Sequence, residues 1–344
     1  MPATATYTLN TGLPLPAVGL GCWMGEPAGD KGSDINEETY QMVRKGLELG
    51  YTHFDTANGY GNEEAVGRAI RDSGVKRENL FITTKLNNSD HARVKEAFEE
   101  SLEALGSGYI DLYLMHWPLA SPFGGPAAKP LGPSDSPTFS ETWAAMEELL
   151  KTHEGKVKNI GVSNFSIQNL EILFKTAKVV PAVNQAEGHP YLPNDKLAAY
   201  CSEKGIHLTA YSPVGQGAAS PVLNDPLVAK LADKYAKSAG QVLLSWGVQR
   251  GWSVVPKSSN PKRLEENLAV FELEKEDMEA LSSLHKEEGK YTSLCDYGLS
   301  PTDDSSVLFG WRIKEDLGWD YPISVRDDGG WGAKMRAAKE KEGK

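Results

Sequence analysis

Eight short apolar runs alternate with longer segments of helical periodicity, and this alternation constrains the fold more than any other feature of the chain. Each run has the length of a strand, and a loop precedes the helical segment that follows it. The eight runs are Val18–Gly21, Thr52–Phe54, Leu80–Thr84, Ile110–Met115, Val157–Val162, Ala182–Asn184, His207–Ala210 and Trp252–Val255. The pattern predicts helices near 36–49, 63–73, 90–105, 139–151, 166–176, 194–204, 226–249 and 261–269, with a break in the seventh near Gly240.

Short apolar strands separated by helices are typical of a parallel sheet whose outer face is covered. Eight such units predict an α/β protein with a (β/α)8 TIM barrel, and 344 residues suit one such domain over 1–344. A doubly wound dinucleotide-binding sheet is the alternative, and it requires GxGxxG after the first strand. The first strand contains Gly19, Gly21 and Gly25, but Gly25 lies one residue beyond the position that GxGxxG requires. We therefore reject that fingerprint.

Three segments lie outside the alternation. Tyr7–Leu15 reads as a hairpin with Asn10-Thr11-Gly12 at its turn, which we expect to plug the bottom of the barrel. Residues 118–138 are rich in Pro, Gly and Ser and predict a long loop on the catalytic face. The periodicity fades near residue 286, so we expect 286–344 to form a C-terminal loop segment and tail over the substrate site.

Composition excludes several classes of partner. The formal charge of −11 argues against nucleic acid. No apolar run is long enough to cross a bilayer, and MPATATYTLN lacks the features of a signal peptide, so we expect a cytoplasmic protein without membrane contact. Cys22, Cys201 and Cys295 show no metal-like spacing, which indicates reduced thiols. A monomer is the expected state, with a dimer as the alternative.

Four ionisable side chains follow three neighbouring strands. Asp55 and Tyr60 come after the second strand, Lys85 ends the third, and His116 ends the fourth. In a barrel, these strand ends meet at the rim where chemistry takes place. A strand-end Asp often caps a helix and a buried His often belongs to the core, but four groups of complementary type favour a catalytic site.

These four groups suit proton donation to a carbonyl oxygen. The ordinary pKa of tyrosine is about 10, so Tyr60 needs help to act as a general acid. We expect the Lys85 cation to lower that pKa and Asp55 to keep Lys85 charged. Neutral His116 would either orient the substrate oxygen or share its proton. Because no side chain here supplies electrons, a carbonyl reduction requires a bound hydride donor.

The chain resembles the aldo-keto reductases over nearly its whole length. The resemblance rests on GYTHFDTANGYGNEEAVG, IDLYLMHWP, NIGVSNF and VPKSSNPKRLEEN, in this order and each at its expected strand end. It implies a tetrad of Asp55, Tyr60, Lys85 and His116 with Tyr60 as the proton donor. It also implies NADPH/NADP+ bound across the barrel mouth without a dinucleotide-binding domain.

The same resemblance implies contacts to the nicotinamide half of the cofactor. Ser163, Asn164 and Gln185 would hydrogen-bond the carboxamide, and Tyr211 would stack beneath the ring. Taken alone, Ser163-Asn164 reads as a helix N-cap and Tyr211 as a core aromatic. The loop from Ser212 through Val214 would wrap the pyrophosphate.

A cation cluster follows the eighth strand. Lys257, Ser258, Ser259 and Asn260 lead into a helix that starts at Pro261, and a helix N-terminus with cations beside it suits a phosphate. A solvated basic turn is the alternative. With the resemblance, Lys257, Ser258 and Arg263 imply recognition of a ribose 2′-phosphate, and Glu266 and Asn267 imply contacts to the adenine.

The substrate cleft is expected beside the tetrad. The resemblance and the strand-end positions place Trp23, Tyr60, His116 and Trp117 around a small carbonyl compound, although either tryptophan alone could belong to the core. Segments around Cys295 and Trp311 would complete the pocket, and Cys295 is either an oxidation-sensitive thiol or a packed one. Residues 309–319 are similar to fungal members that reduce small sugars, glyceraldehyde or uronic acids, so the expected substrate is an aldehyde, aldose, uronate or ketone.

Two other functions are alternatives for this sequence. A non-catalytic or regulatory member of the same fold family would need no tetrad. A metal-dependent barrel hydrolase could use His53, Asp55, His116 and His207, but the first strand lacks the His-x-His that such sites commonly offer. We therefore expect no metal.

Overall fold

Eight parallel strands form a (β/α)8 barrel, as the alternation predicts. The computed structural model describes residues 5–28, 33–124, 130–296, 299 and 307–324. The barrel strands follow chain order and are β3 (Leu20–Gly21), β4 (His53–Asp55), β5 (Phe81–Leu86), β6 (Leu112–Met115), β7 (Ile160–Ser163), β8 (Val183–Glu187), β9 (His207–Tyr211) and β10 (Ser253–Val255). A parallel bridge between Val18 and Val254, with Gly21 N donating to Pro256 O at 3.0 Å, joins the first barrel strand to the last.

Helices cover the outer face of the sheet. They are α1 (Asp34–Leu49), α2 (Glu63–Ser73), α3 (Val94–Leu105), α4 (Phe139–Thr152), α5 (Ile167–Leu173), α6 (Asp195–Glu203), α7 (Pro226–Tyr235), α8 (Ala239–Gln249), α9 (Pro261–Leu268) and α10 (Lys275–Ser283). Within the described part of the chain, no helix is both long and apolar enough to span a membrane.

Side-chain caps set several of these boundaries. Ser33 accepts from Asn36 N at the start of α1, and Thr138 and Ser238 form capping boxes with Glu141 and Gln241. Such caps satisfy backbone amides that have no partner inside the helix.

The predicted break in the seventh helix is present, and one further helix was not predicted. The break between α7 and α8 falls at residues 236–238, just before Gly240, where Ala236 adopts a left-handed φ of 52°. Gly240 lies inside α8, whose start is set by the Ser238 cap. The alternation also missed α10, whose sequence KEDMEALSS holds few apolar residues and buries only Leu281.

The N-terminal hairpin is present as predicted. Its strands β1 (Thr6–Thr8) and β2 (Pro14–Pro16) are antiparallel, and Gly12 takes the left-handed φ of 86° that the turn requires. Leu9 and Leu15 are buried against residues of β5, β6 and β8 in a cluster separate from the main core. The hairpin therefore closes one end of the barrel.

The main core lies between the sheet and the helices, and one glycine shows how closely its layers pack. A Cβ on Gly67 of α2 would lie 2.0 Å from the Leu105 carbonyl oxygen, so only glycine permits this approach of α2 to the end of α3.

The C-terminal segment, of which residues 286–296, 299 and 307–324 are described, extends over the barrel without long helices or strands. We call this segment the C-terminal strap. Its strands β11 (Val307–Leu308) and β12 (Trp311–Arg312) are short, and Ser293 pairs with Ile323. Asn169 of α5 donates to Leu317 O at 3.4 Å, and Trp311 Nε1 donates to Leu131 O at 2.7 Å. The predicted tail at 325–344 and residues 125–129 of the 118–138 loop lie outside the described residues.

Candidate active site

The four predicted ionisable groups meet at one rim of the barrel. Lys85 Nζ donates to Asp55 Oδ1 at 2.6 Å, to the Thr56 carbonyl oxygen at 2.8 Å and to the Tyr60 hydroxyl at 3.4 Å. The Lys85 side chain is 0% exposed, so its charge is compensated entirely by these partners. Lys85 and Asp55 thus form a buried ion pair, and Lys85 also hydrogen-bonds the phenol of Tyr60.

Local structure places Tyr60 beside Lys85. Tyr60 ends a 3-10 turn, Asn58–Tyr60, directly after β4, and Gly61 follows with a φ of 69°. A Cβ on Gly59 would lie 3.0 Å from Asn87 Oδ1, so a glycine lets this turn lie close to the end of β5. Glu63, the first residue of α2, accepts from Thr84 and from Ser101 and fixes the start of α2 against β5 and α3.

The ionisation of the site differs in one respect from the expectation. Burial raises the pKa of Tyr60 above its ordinary value, and the Lys85 cation only partly opposes this rise. The expected net lowering was wrong because desolvation of the phenolate outweighs the attraction of the cation. Burial lowers the pKa of Lys85, but Asp55 and Tyr60 outweigh it, so the pKa is raised and Lys85 stays charged.

His116 packs against the phenol ring of Tyr60. Its ring centroid lies 5.6 Å from that of Tyr60 in a T-shaped arrangement at 70°. Burial, with Lys85 in addition, lowers the pKa of His116 well below its ordinary value. The imidazole is therefore neutral at pH 7, as the sequence predicts.

The four residues expected around the nicotinamide lie together. Ser163 and Asn164 follow β7, and Asn164 Nδ2 donates to Ser163 Oγ at 3.1 Å and to His116 O at 2.9 Å. Tyr211 at the end of β9 donates to Asn164 Oδ1 at 2.8 Å. Gln185 Nε2 donates to Asp55 Oδ2 at 2.6 Å, which links this group to the ion pair.

The alternative interpretation of Ser163-Asn164 as a helix cap was wrong. Ser166 caps α5 by accepting from Asn169 N, and Asn164 instead adopts a left-handed φ of 65°. Its side chain is thereby held at the rim rather than at a helix terminus.

The loop after β9 starts with a left-handed Ser212, with a φ of 47°. Cys295 Sγ donates to Ser212 Oγ at 3.4 Å, and Gln216 Nε2 donates to Cys295 Sγ at 3.0 Å. Val214 is half-buried in the same loop. The loop and the C-terminal segment therefore contact each other beside the rim.

Cys295 is a packed thiol. It is 5% exposed, and burial together with Glu187 raises its pKa well above its ordinary value. Since the thiolate is the reactive form, this environment favours the packed alternative over an oxidation-sensitive one.

The cation cluster is present after β10. Lys257 Nζ donates to Ser259 Oγ at 2.9 Å, and Arg263 Nε donates to Ser258 Oγ at 3.3 Å. Asn260 caps α9 by accepting from Arg263 N at 3.1 Å, and α9 starts at Pro261 as predicted. Two cations and two hydroxyls at the N-terminus of a helix form the donor set that a phosphate binds.

The two residues expected near the adenine lie further along α9. Glu266 pairs with Lys262 at 3.7 Å, and Asn267 is buried.

Aromatic side chains pack next to the tetrad residues. Trp23 packs against Tyr60 with ring centroids 5.0 Å apart. Trp117, next to His116, contacts Phe309 at 5.0 Å and Trp319 at 5.7 Å, both from the C-terminal strap. Trp311 instead bonds to Leu131 O and lines an outer crevice of about 290 Å³ with Phe139 and Asn169.

The residues of the metal-site alternative do not converge. His53 Nε2 lies 3.1 Å from Thr83 Oγ1, and His207 Nε2 lies 3.1 Å from Ser253 Oγ, in a layer toward the hairpin. Asp55 and His116 belong to the opposite rim. Among the described residues, no group of three His, Cys, Asp or Glu side chains could hold a metal ion.

Glu187 at the end of β8 is not among the site residues that the sequence predicts. Glu187 Oε1 accepts from Leu294 N at 2.7 Å and lies 2.7 Å from His189 Nε2, and Oε2 accepts from Ser293 Oγ. It therefore anchors the C-terminal segment to the rim. The strand-end rule that selected Asp55 applies equally to Glu187.

Comparison with known proteins finds relatives within one family. Residues 17–286 match the Aldo/keto reductase family. The chain is 42% identical over 303 residues to the glycerol 2-dehydrogenase (NADP(+)) of Saccharomyces cerevisiae, which covers 84% of this chain and 93% of that protein. It is 40% identical over 287 residues to the D-galacturonate reductase of Hypocrea jecorina, with coverage of 80% and 89%. The Bombyx mori aldo-keto reductase, solved in complex with NADP, superposes with a TM-score of 0.72 at 37% identity and covers 81% of this chain and 92% of its own.

The barrel fold and these relatives together define an oxidoreductase that acts on carbonyl groups. The chain belongs to the aldo/keto reductase family.

Proposed function

We propose that this chain reduces a small aldehyde, aldose, uronate or ketone to the alcohol with NADPH, and that Tyr60 donates the proton. The observation that carries the proposal is the contact of Lys85 with both Asp55 and Tyr60, beside Trp23, which packs against Tyr60. The relatives named above are a glycerol 2-dehydrogenase, a galacturonate reductase and an NADP-bound aldo-keto reductase, which supports this reaction class.

The residues on the rim fit NADPH. The donors that a 2′-phosphate requires come from Lys257, Ser258, Ser259 and Arg263. Asn260 caps the N-terminus of α9 beside them. Ser163, Asn164, Gln185 and Tyr211 would hold the carboxamide and ring, Ser212 and Val214 the pyrophosphate, and Glu266 and Asn267 the adenine. When bound, NADPH supplies the hydride that no side chain of this site can provide.

Tyr60 holds its proton throughout the neutral range because burial raises its pKa. Lys85 favours the phenolate that remains once the proton is transferred to the substrate oxygen, and Asp55 keeps Lys85 charged. Neutral His116 donates a hydrogen bond to the same oxygen and so orients it. Aromatic side chains exclude water from the cleft, which strengthens each of these interactions.

The remaining features of the proposal concern the whole chain. Residues 1–344 form one barrel domain, and 286–344 act as the loop and tail over the substrate site. The contacts of Phe309 and Trp319 with Trp117 support this role of the C-terminal strap. The protein works as a cytoplasmic monomer on a small-molecule substrate.

The test follows the loss of reduced nicotinamide with glyceraldehyde, xylose, galacturonate and a nitrobenzaldehyde as substrates. We expect turnover of at least one of them by the native chain. Tyr60→Phe should abolish this turnover and leave the binding of NADPH, measured by fluorescence titration, unchanged. Retained turnover in Tyr60→Phe would remove Tyr60 as the acid, and absence of turnover on every carbonyl tried would favour a non-catalytic role.

A further inference from the structure

A carboxylate lies against the cation cluster that we assign to the 2′-phosphate. Glu38 projects from α1, and its Oε1 accepts a hydrogen bond of 2.8 Å from the Ser259 hydroxyl. The same hydroxyl accepts from Lys257 Nζ at 2.9 Å. Ser259 therefore connects a cation and an anion, although sequence positions 38 and 259 are far apart.

This arrangement would interact differently with the 2′-phosphate of NADPH and with the 2′-hydroxyl of NADH. An anion that replaces Glu38 as the acceptor of the Ser259 hydrogen bond lies within two hydrogen-bond lengths of the carboxylate, and like charges at that distance repel. A ribose 2′-hydroxyl has no such conflict, because it can donate a hydrogen bond to a carboxylate, as acidic residues in other NAD sites do.

We propose that Glu38 is a cofactor-selectivity residue that disfavours the 2′-phosphate of NADPH and favours the 2′-hydroxyl of NADH. The inference rests on the proposed function, because it assumes that the cofactor's ribose binds at Lys257 and Ser259. Lys257 and Arg263 carry two positive charges against the single charge of Glu38, so the site still prefers NADPH. Glu38 reduces the ratio of NADPH affinity to NADH affinity, so the chain binds both cofactors measurably.

The expected size of the effect follows from the exposure of the site. Glu38 and Lys257 are both exposed, so their interactions are screened by water and salt. One unit charge a few ångströms from a phosphate in water changes affinity by about fivefold. Raising the salt concentration should shrink that factor, because the Debye length falls to about 3 Å at 1 M salt.

The test is direct binding of NADPH and NADH, followed by quenching of tryptophan fluorescence at low and high salt. Glu38→Gln removes the charge and keeps an acceptor oxygen, and Glu38→Ala removes both. Glu37→Gln is the matched control, because this adjacent carboxylate pairs with Arg68 at 2.8 Å on the side facing α2. We expect both Glu38 variants to bind NADPH about fivefold more tightly at low salt. Only Glu38→Ala should also bind NADH more weakly.

Other outcomes separate the inference from the proposed function. If Glu38→Gln weakens NADPH, the carboxylate serves to position Ser259 and Lys257, and the inference is overturned. An unchanged ratio of the two affinities, or an equal shift in Glu37→Gln, overturns it as well. If the native chain binds neither cofactor, the proposed function itself fails.

Discussion

Gln185 donates a 2.6 Å hydrogen bond to Asp55 Oδ2, the carboxylate oxygen that Lys85 does not use. The other oxygen, Oδ1, accepts from Lys85 at 2.6 Å. Both carboxylate oxygens are thus held, one by a strand on the opposite side of the barrel. The orientation of Lys85 toward Tyr60 depends on this arrangement, because a carboxylate that could rotate would not fix the ammonium group.

Replacement of Asp55 by Asn should therefore affect stability as well as activity. Lys85 would keep its position in a site with no exposure but lose its countercharge. Removing one partner of a buried ion pair costs about 3–5 kcal/mol. Urea unfolding of Asp55→Asn should show this loss, together with loss of turnover. Glu48→Gln, which removes an exposed partner of Lys45 at 3.1 Å, is the control and should change stability by less than about 1 kcal/mol. An Asp55→Asn protein as stable as the native chain would contradict a charged Lys85.

Much of the fold could be predicted because the relevant signals are local. Eight apolar runs identify the barrel strands, and the rule that chemistry lies at strand ends selects Asp55, Lys85 and His116. Capping residues fix the starts of helices such as α9, where Asn260 precedes Pro261. The sequence did not predict α10 because this short, largely polar segment carries little hydrophobic periodicity.

The missed contacts join distant parts of the chain. The pair of Gln185 with Asp55 spans 130 residues, and the pair of Ser259 with Glu38 spans 221. No periodicity encodes such pairs, because they depend on how the barrel closes. The sign of the Tyr60 pKa shift was likewise beyond the sequence, since it depends on how completely the phenol is buried.

The cation cluster predicts a difference between the two cofactors. Replacing Lys257 and Arg263 together by Ala removes charge-assisted bonds to the 2′-phosphate, each worth about 1.5–3 kcal/mol. Loss of one such bond corresponds to roughly a tenfold to hundredfold loss of affinity for NADPH, so the double variant should lose about a hundredfold or more, while affinity for NADH should change far less. Fluorescence titration measures both. Lys262→Ala in the same turn, with its exposed contact to Glu266, should leave both affinities unchanged. Equal losses for the two cofactors would refute the assignment.

Two buried histidines predict how stability depends on pH. Burial lowers the pKa of both His53 and His207 to about 4. Between pH 6.5 and 4, the unfolded chain binds protons that the folded chain excludes, so stability falls as the pH falls through this window. Each histidine contributes on the order of 3 kcal/mol to this loss, and their mutual repulsion makes the two contributions non-additive.

Unfolding in urea at pH 7 and pH 4.5 tests this dependence. His207→Asn should reduce the difference in unfolding free energy between the two pH values, whatever its effect at pH 7. His153→Asn is the control, because this histidine lies on the outside of the barrel, 3.1 Å from the exposed Glu99. An unchanged pH dependence in His207→Asn would mean that the histidine is not held neutral in the folded chain.

The anchor formed by Glu187 should control the C-terminal strap. Glu187→Ala leaves Ser293 Oγ and Leu294 N without their acceptor, and each buried donor left unsatisfied costs about 1–3 kcal/mol. Because Ser293 pairs with Ile323, the loss should loosen the strap that holds Trp319 against Trp117. Limited proteolysis should then cleave the strap several times faster, and KM should rise more than kcat falls. Glu203→Ala, at an exposed position of α6, should change neither measurement. Unchanged cleavage in Glu187→Ala, with KM also unchanged, would show that the strap is held without this carboxylate.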